Sequence, residues 1–321
     1  MSTMTTDPLG TLRHLLHDEP QPSSWRALQQ LLDTLSDDLL PVALTYAEAH
    51  LAHWPDVERD ITGIAHPRPN SWPLGRFFDL SQSQLNDPEA LLNLLDSDDV
   101  AHFTHLDLSQ NRLSASEFSA ILQRPWRDLR QVIASSNPFG PELGSALTET
   151  TGLVHLRALA LDRVRLTNDG LRGLAHNPHL SNLHSLDLSD NRLSDAGVIA
   201  LAQSGRFPGL KRLALKFNPI TALALEALAR SGTLGQLEVL LLRACHLDDD
   251  ALITFARSPH LQNLQMLDLG YNTDITTKGL HALAQSHHRL RLQRIHLDHC
   301  NLDGDARTLI AEQFNRVHVV L

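Results

Sequence analysis

The sequence predicts an α/β solenoid, with a parallel inner sheet and outer helices, preceded by an α-helical cap. Three observations carry this expectation. Apolar residues recur at a nearly fixed interval of 27 over most of the chain. Each interval begins with a period-2 apolar pattern and continues with apolar residues at helical spacing. The first 72 residues lack the interval and show helical stripes alone.

The repeated unit reads L-x-x-L-x-L-x-x-N/C-x-L. Its first full copy is Phe103-Leu106-Leu108-Asn111-Leu113, and later copies start at Leu129, Leu156, Leu183, Leu210, Leu237, Leu264 and Leu292. The spacings are 26, 27, 27, 27, 27, 27 and 28 residues, and a fixed period of this length marks a stacked-repeat architecture. The fourth and sixth positions alternate with polar ones, as a strand with one buried face requires. The Asn or Cys follows where the backbone leaves the sheet, and a buried Asn there satisfies main-chain groups. A Ser, Thr or Asp then opens a helix, as in Ser194-Asp195-Ala196-Gly197-Val198 and Thr167-Asn168-Asp169-Gly170-Leu171.

These motifs resemble the ribonuclease-inhibitor-like subclass of leucine-rich repeats, over residues 75–321. The resemblance implies a horseshoe solenoid of about eight full repeats in 73–321, which holds another protein on its concave face and is not an enzyme. It also implies two alternatives. One is a regulator of a small GTPase, because the Ran-GTPase-activating proteins share the subclass. The other is a secreted effector acting on a host protein, suggested by the Ser/Thr-rich first residues. Val164 and Ser83 depart from the motif at the ladder position, so the turn at Val164 is expected to be looser. Phe314–Leu321 reads as a closing strand, with Arg316 in the third position and His318 in the fifth.

Residues 7–65 read as three or four short helices, with stripes at Leu12 and Leu16, at Trp25, Leu28 and Leu32, and at Leu40, Leu44, Ala47 and Leu51. Pro67, Pro69 and Pro73 punctuate the passage into the repeats. The stretch Ala43-Leu44-Thr45-Tyr46-Ala47-Glu48-Ala49-His50-Leu51 is similar to the helical domains that precede bacterial leucine-rich repeats, which implies a bacterial source. Residues 1–72 are therefore expected to form an N-terminal cap.

Lys and Arg number 27 against 37 acids, a net charge of −10. Such a chain repels nucleic acid at long range, so no nucleic-acid partner is expected. No apolar run approaches the roughly 20 residues of a membrane span, and the opening Met1–Pro8 has no signal-peptide pattern. A cytoplasmic location is expected. The two cysteines, Cys245 and Cys300, share one repeat position two units apart. That places them roughly 10 Å apart, beyond disulfide reach, so both are expected as free, buried thiols.

Phosphate-loop, dinucleotide, H-E-x-x-H and C-x-x-C motifs are all missing, and no cofactor is expected. Most of the 19 histidines, including the pair His287-His288, read as solvated surface. The densest metal-like set is His296, Asp298, His299 and His318, with His318 expected level with His296. Surface polarity explains the same letters, so no metal is assigned.

Function is instead sought on the third, fifth and seventh positions of each unit, which point out of the sheet. In the first full repeats these are small and polar, with Ser and Asp prevailing. From Arg212 onward they turn basic and apolar. Val239, Leu241 and Met266 are expected as an exposed aliphatic patch, flanked by Phe217 and Tyr271 and surrounded by Arg212, Lys216, Arg243 and Arg294. Asp268, His296 and Asp298 complete the expected partner-binding set. Apolar anchors rimmed by charge suit a protein partner with acidic and apolar side chains.

Overall fold

A three-residue strand followed by a short helix is the unit from which the chain is built. The computed structural model describes residues 7–17, 20–36, 38–51, 54, 59–62, 75–82, 95, 100–124, 126–148, 150–260, 262–286 and 291–321. Pro67, Pro69, Pro73, Ser83 and the pair His287-His288 lie outside the described residues. Two compact units divide the chain, one of residues 1–111 and 124–132, the other of residues 112–123 and 133–321.

The first unit opens with helices α1 (Pro8–His17), α2 (Pro22–Asp33) and α3 (Leu40–His50). Proline at the start of α2 and α3 suits a helix N-terminus, whose first amides lack partners in any case. Leu12, Leu16, Trp25, Leu28 and Leu32 are buried, as their stripes predict. In α3 the inward residues are Ala43 and Ala47, with Leu40 and Leu44 only half-buried. Strands β1 (Asp60–Thr62), β2 (Phe77–Asp79) and β3 (His105–Asp107) follow, paired in parallel and in chain order. The sheet thus begins at Asp60, inside the stretch expected to be helical. A three-residue strand without the repeat's leucine spacing leaves too short a pattern to recognise.

The second unit is the regular part. Strand β4 (Gln131–Ile133) falls across the division. Then come β5 (Ala158–Ala160), β6 (Ser185–Asp187), β7 (Arg212–Ala214), β8 (Val239–Leu241), β9 (Met266–Asp268), β10 (Arg294–His296) and β11 (His318–Val320). From β5 to β11 each strand pairs in parallel with the next. The helices are α4 (Ala115–Leu122), α5 (Leu143–Ala146), α6 (Thr167–His176), α7 (Asp195–Gln203), α8 (Ala222–Arg230), α9 (Asp249–Ala256), α10 (Thr277–Ser286) and α11 (Asp305–Gln313). Leu186, Leu213, Leu240 and Leu267, the fourth-position residues, are at most 1% exposed, so the register read from the sequence holds.

Two hydrogen-bond ladders tie neighbours together. Asn191 Nδ2 donates to Leu161 O of the preceding repeat (2.6 Å), while its Oδ1 accepts from Val164 N (3.0 Å) and Leu166 N (3.2 Å). Asn218 treats Asn191 and Leu193 in the same way. Each ladder side chain therefore serves the repeat before it. The turn at Val164 is not loosened by losing its own amide, since Asn191 supplies its bonds. What Val164 withholds is withheld from the turn after Asn137, where Gly140 N donates to Val164 O instead (3.0 Å).

The second ladder runs forward. Asp195, in the first turn of α7, accepts from Thr221 N (2.7 Å) and Thr221 Oγ1 (2.7 Å) at the start of α8. Asp249 in α9 likewise accepts from Thr276 N (2.8 Å) and Gly279 N (2.9 Å) of α10. Where Ala222 replaces that carboxylate, the next helix caps itself, with Ala251 N donating to Asp248 (2.9 Å). A cap at these unpaired amides stabilises a helix start by about 1 kcal/mol.

Candidate functional site

On the inner face of β7–β10, the third positions are Arg212, Val239, Met266 and Arg294, the fifth Ala214, Leu241, Asp268 and His296, and the seventh Lys216, Arg243, Gly270 and Asp298. Arg212 and Arg294 are exposed, while Val239, Met266 and Lys216 are half-buried. Leu241 is only 5% exposed, which corrects the expected three-residue aliphatic patch. It sits mid-row, in register between Ala214 and Asp268, where side chains on both neighbouring strands screen it. Val239 and Met266, paired in register, remain as the accessible aliphatic surface.

Arg243 is not a free cation. Its Nη1 and Nη2 donate to both oxygens of Asp298 (2.8 and 2.7 Å), and its Nε donates to Asp268 (3.3 Å). The paired carboxylate holds the guanidinium more firmly protonated, and the guanidinium pulls the Asp298 carboxyl below the usual carboxylate range. Asp298 lies 55 residues downstream, two strands away, and the intervening position is Gly270. A Cβ there would stand 2.7 Å from Asp298 Oδ1 and 2.9 Å from Arg243 Cζ, so only glycine leaves the crossing open. The Arg243 guanidinium lies over the Tyr271 ring, 5.0 Å from its centroid, and the His299 ring stands 4.1 Å from the same ring. The charge expected from Arg243 is thus cancelled within the protein.

Asp268, His296 and Asp298 offer one ligand atom each within 4.8 Å of one another. His299 and His318 do not join them. His299 adopts a left-handed backbone (φ 59°) and faces Tyr271. His318 pairs with Arg294, whereas Val320 stands level with His296, so the closing strand starts two residues later than its motif suggests. Helix α11 runs to Gln313, Phe314 buries itself at its end, and the turn closes only at Val317, whose amide bonds Phe314 O (2.9 Å). Arg316 correspondingly precedes the strand. The three donors suit a divalent cation by type, but both carboxylates already hold the Arg243 guanidinium.

Cys245 and Cys300 are free and act as ladder donors, to Leu215 O (3.5 Å) and Leu269 O (3.4 Å). Burial pushes their thiols up to about 12 and about 11, which removes the thiolate needed for nucleophilic chemistry.

The small polar columns of the earlier repeats also have a structural use. Asp187 Oδ1 accepts from Ser189 N (2.9 Å), Asp107 Oδ1 from Ser109 N (2.8 Å) and Asp268 Oδ1 from Gly270 N (3.1 Å). A fifth-position carboxylate therefore closes the turn out of its own strand. Burial raises the Asp107 carboxyl above the usual range, against its bonds from Ser109 and with help from the neighbouring Asp79 charge.

One strand and one helix per 27 residues, stacked in parallel and laced by buried asparagines, decide the fold. It is a leucine-rich-repeat solenoid. Two segments, 179–202 and 260–284, match the family model described as Leucine Rich repeat. Each covers one strand and most of its helix, β6 with α7 and β9 with α10. No curated protein matches the sequence. A solved structure described as the crystal structure of a TLR13–ssRNA13 complex is similar at 22% identity and a TM-score of 0.49. The match covers 78% of this chain and 33% of that one, so the chain spans about a third of its neighbour's length.

Within this leucine-rich-repeat frame, the row one residue past the seventh position, which holds the flanking Phe217 and Tyr271, shares a backbone conformation that the column reading did not give. The residue after the seventh position is left-handed in Ser136, Arg163, Asp190, Phe217, Ala244, Tyr271 and His299 (φ 51–60°). Phe217 and Tyr271 are 54% and 48% exposed there. A bulky residue at positive φ is uncommon, and the recurring interval was the signal that could have marked the row. Among the described residues no helix is long and apolar enough to cross a membrane.

Proposed function

We propose that the chain is a non-enzymatic scaffold or adaptor that holds a partner protein against the inner face of β7–β10. Arg212, Lys216 and Arg294 have no ion partner among the described residues; Arg212 stands in register with the half-buried Val239 and Arg294 with the half-buried Met266, while Lys216 lies further along the same face. That combination of free cations around an aliphatic strip carries the reading, because binding energy concentrates where apolar anchors meet complementary charge. Phe217 and Tyr271 extend the surface along one edge. Leu241, Arg243, Asp268, His296 and Asp298 form the rigid bed beneath it rather than the contact layer. The partner carries acidic and apolar side chains, and the free, protonated thiols fit a cytoplasmic setting, with residues 1–72 as the cap.

The test is affinity capture from the native cell with the full chain and with a double variant, Arg212→Glu plus Met266→Asp. Both positions are accessible enough to be changed without opening the core. Partners retained by the parent and lost by the variant, at equal melting temperature, support the reading. An identical partner list overturns it.

A further inference from the structure

We propose that β11 and α11 form the surface on which a second copy of this chain docks, the two copies meeting antiparallel about a two-fold axis. β11 ends the order of the sheet, so one of its edges has no strand beside it among the described residues. The side chains of this layer are apolar and open. Leu302, Ile310 and Val319 are half-buried, whereas the matching residues one repeat earlier, Ile275, Leu283 and Ile295, are fully buried. Leu321 is 58% exposed. A solenoid end of this kind leaves in water the apolar layer that interior repeats hide.

The peptide groups of this edge are self-complementary. On β10 the groups that serve the next strand include Gln293 O, which accepts from His318 N (2.7 Å), and Leu297 N, which donates to Val320 O (2.8 Å). Val317 O and Leu321 N hold the same two places on β11, with Val319 turned the same way between them. A second β11 laid end for end beside the first offers an acceptor wherever the first offers a donor. Val319 of each copy then exchanges two bonds with Val319 of the other, and Leu321 N of each meets Val317 O of the other. The contact is isologous, the commonest form of a protein dimer.

Charge selects a second copy over a further repeat. Arg307 stands where α8, α9 and α10 carry Leu225, Leu252 and Leu280, each at most 2% exposed. Another leucine-rich unit stacked on α11 would bury that guanidinium, which has no ion partner among the described residues. The axis that reverses β11 also reverses α11. Arg307, near the start of the helix, then approaches Glu312 of the second copy, near the end of its own. Glu312 is likewise exposed and without an ion partner among the described residues. The proposal is independent of the inner-face reading, because it leaves β7–β10 open.

Sedimentation equilibrium on the full chain at graded concentrations tests it. The expected result is a monomer–dimer equilibrium, since an isologous contact closes on two copies. Leu321→Lys and Val319→Pro each raise the dissociation constant at least tenfold. Proline suits an edge strand and deletes the outward N–H, and if Val319→Pro melts early, Leu321→Lys decides. Arg307→Glu and Glu312→Arg each weaken the dimer, and the two together restore it, which loss of folding would not do. Val42→Ser, at an exposed apolar residue elsewhere, leaves it unchanged. The mass of a single chain at every concentration up to about 1 mM overturns the proposal. So does a dimer indifferent to Leu321→Lys, or one that the paired charge exchange fails to restore.

Discussion

Arg243 and Asp298 grip each other across an intervening strand, at 2.7 and 2.8 Å, through a gap that Gly270 leaves in the seventh column. Both side chains are about one-fifth exposed, at 22% and 20%. A bidentate charge-assisted pair in that setting orders three consecutive strands at once.

Asp298→Asn should cost about 2 kcal/mol at neutral pH, the usual loss for a hydrogen bond to a charged group. Chemical denaturation measures it. The double variant with Arg243→Ala should lose less than the two single losses added together, since each partner's removal already breaks the pair. Asp298 titrates below the usual carboxylate range when folded. Its contribution is therefore complete above the ordinary value near 3.9 and fades as pH falls through the lower folded value. A pH-independent penalty for Asp298→Asn between pH 7 and pH 2 contradicts the pairing.

Gly270→Ala and Gly144→Ala separate two kinds of crowding. At Gly270 the new methyl meets the mobile ends of Asp298 and Arg243, so the pair should part while the backbone stays, at a cost close to that of Asp298→Asn. At Gly144, in α5, it meets the Gly170 carbonyl and lies 2.9 Å from Gly173 Cα of α6, neither of which can swing away. Gly144→Ala should cost on the order of 3 kcal/mol, more than Gly270→Ala. Thermal melts of the two variants check the order.

Asn191→Ala removes four bonds that Asn191 makes to Leu161, Ser189, Val164 and Leu166 at a site 0% exposed. The orphaned main-chain groups should cost about 3 kcal/mol in all. Amide exchange should quicken at Val164 and Leu166, in the preceding repeat, more than at Asn191's own helix. Faster exchange confined to α7 would disprove the backward direction of the ladder.

Asp107→Asn should leave stability at pH 7 equal or higher. The folded state holds the Asp107 proton more tightly than the unfolded chain does, so the charged form is a cost at neutral pH. That cost disappears as pH falls through the raised folded value, and the advantage of Asn should vanish with it. The Ser109 amide keeps an oxygen acceptor in either case. Paired denaturation curves at pH 7 and pH 4 check the sign.

The interior was readable from the chain because burial acts on every repeat alike. Leu186, Leu213, Leu240 and Leu267 need only a period to be placed inward. The surface was less readable because its chemistry is relational. Arg243 appears in the sequence as a free cation, and its partner becomes visible only when Arg243, Gly270 and Asp298 are seen as one column. Leu241 has the right parity to face outward, yet parity says nothing about screening by neighbours. His318 was misplaced for a different reason. The connection from α11 to β11 is residues 314–317, shorter than the 204–211 that join α7 to β7, so the interior spacing does not carry over, and a terminal strand has no following copy to fix its phase.

The two ladders run in opposite senses along the chain. Asn191 reaches back to fasten the exit of the strand before it, and Asp195 reaches ahead to fasten the opening of the helix after it. An interior repeat is therefore clasped from both sides by neighbours that share no segment with it. Excising half of one would release a strand exit on one flank and a helix opening on the other. Only insertion or loss of an entire unit leaves every clasp with something to hold, so the length of such an array should change in whole steps.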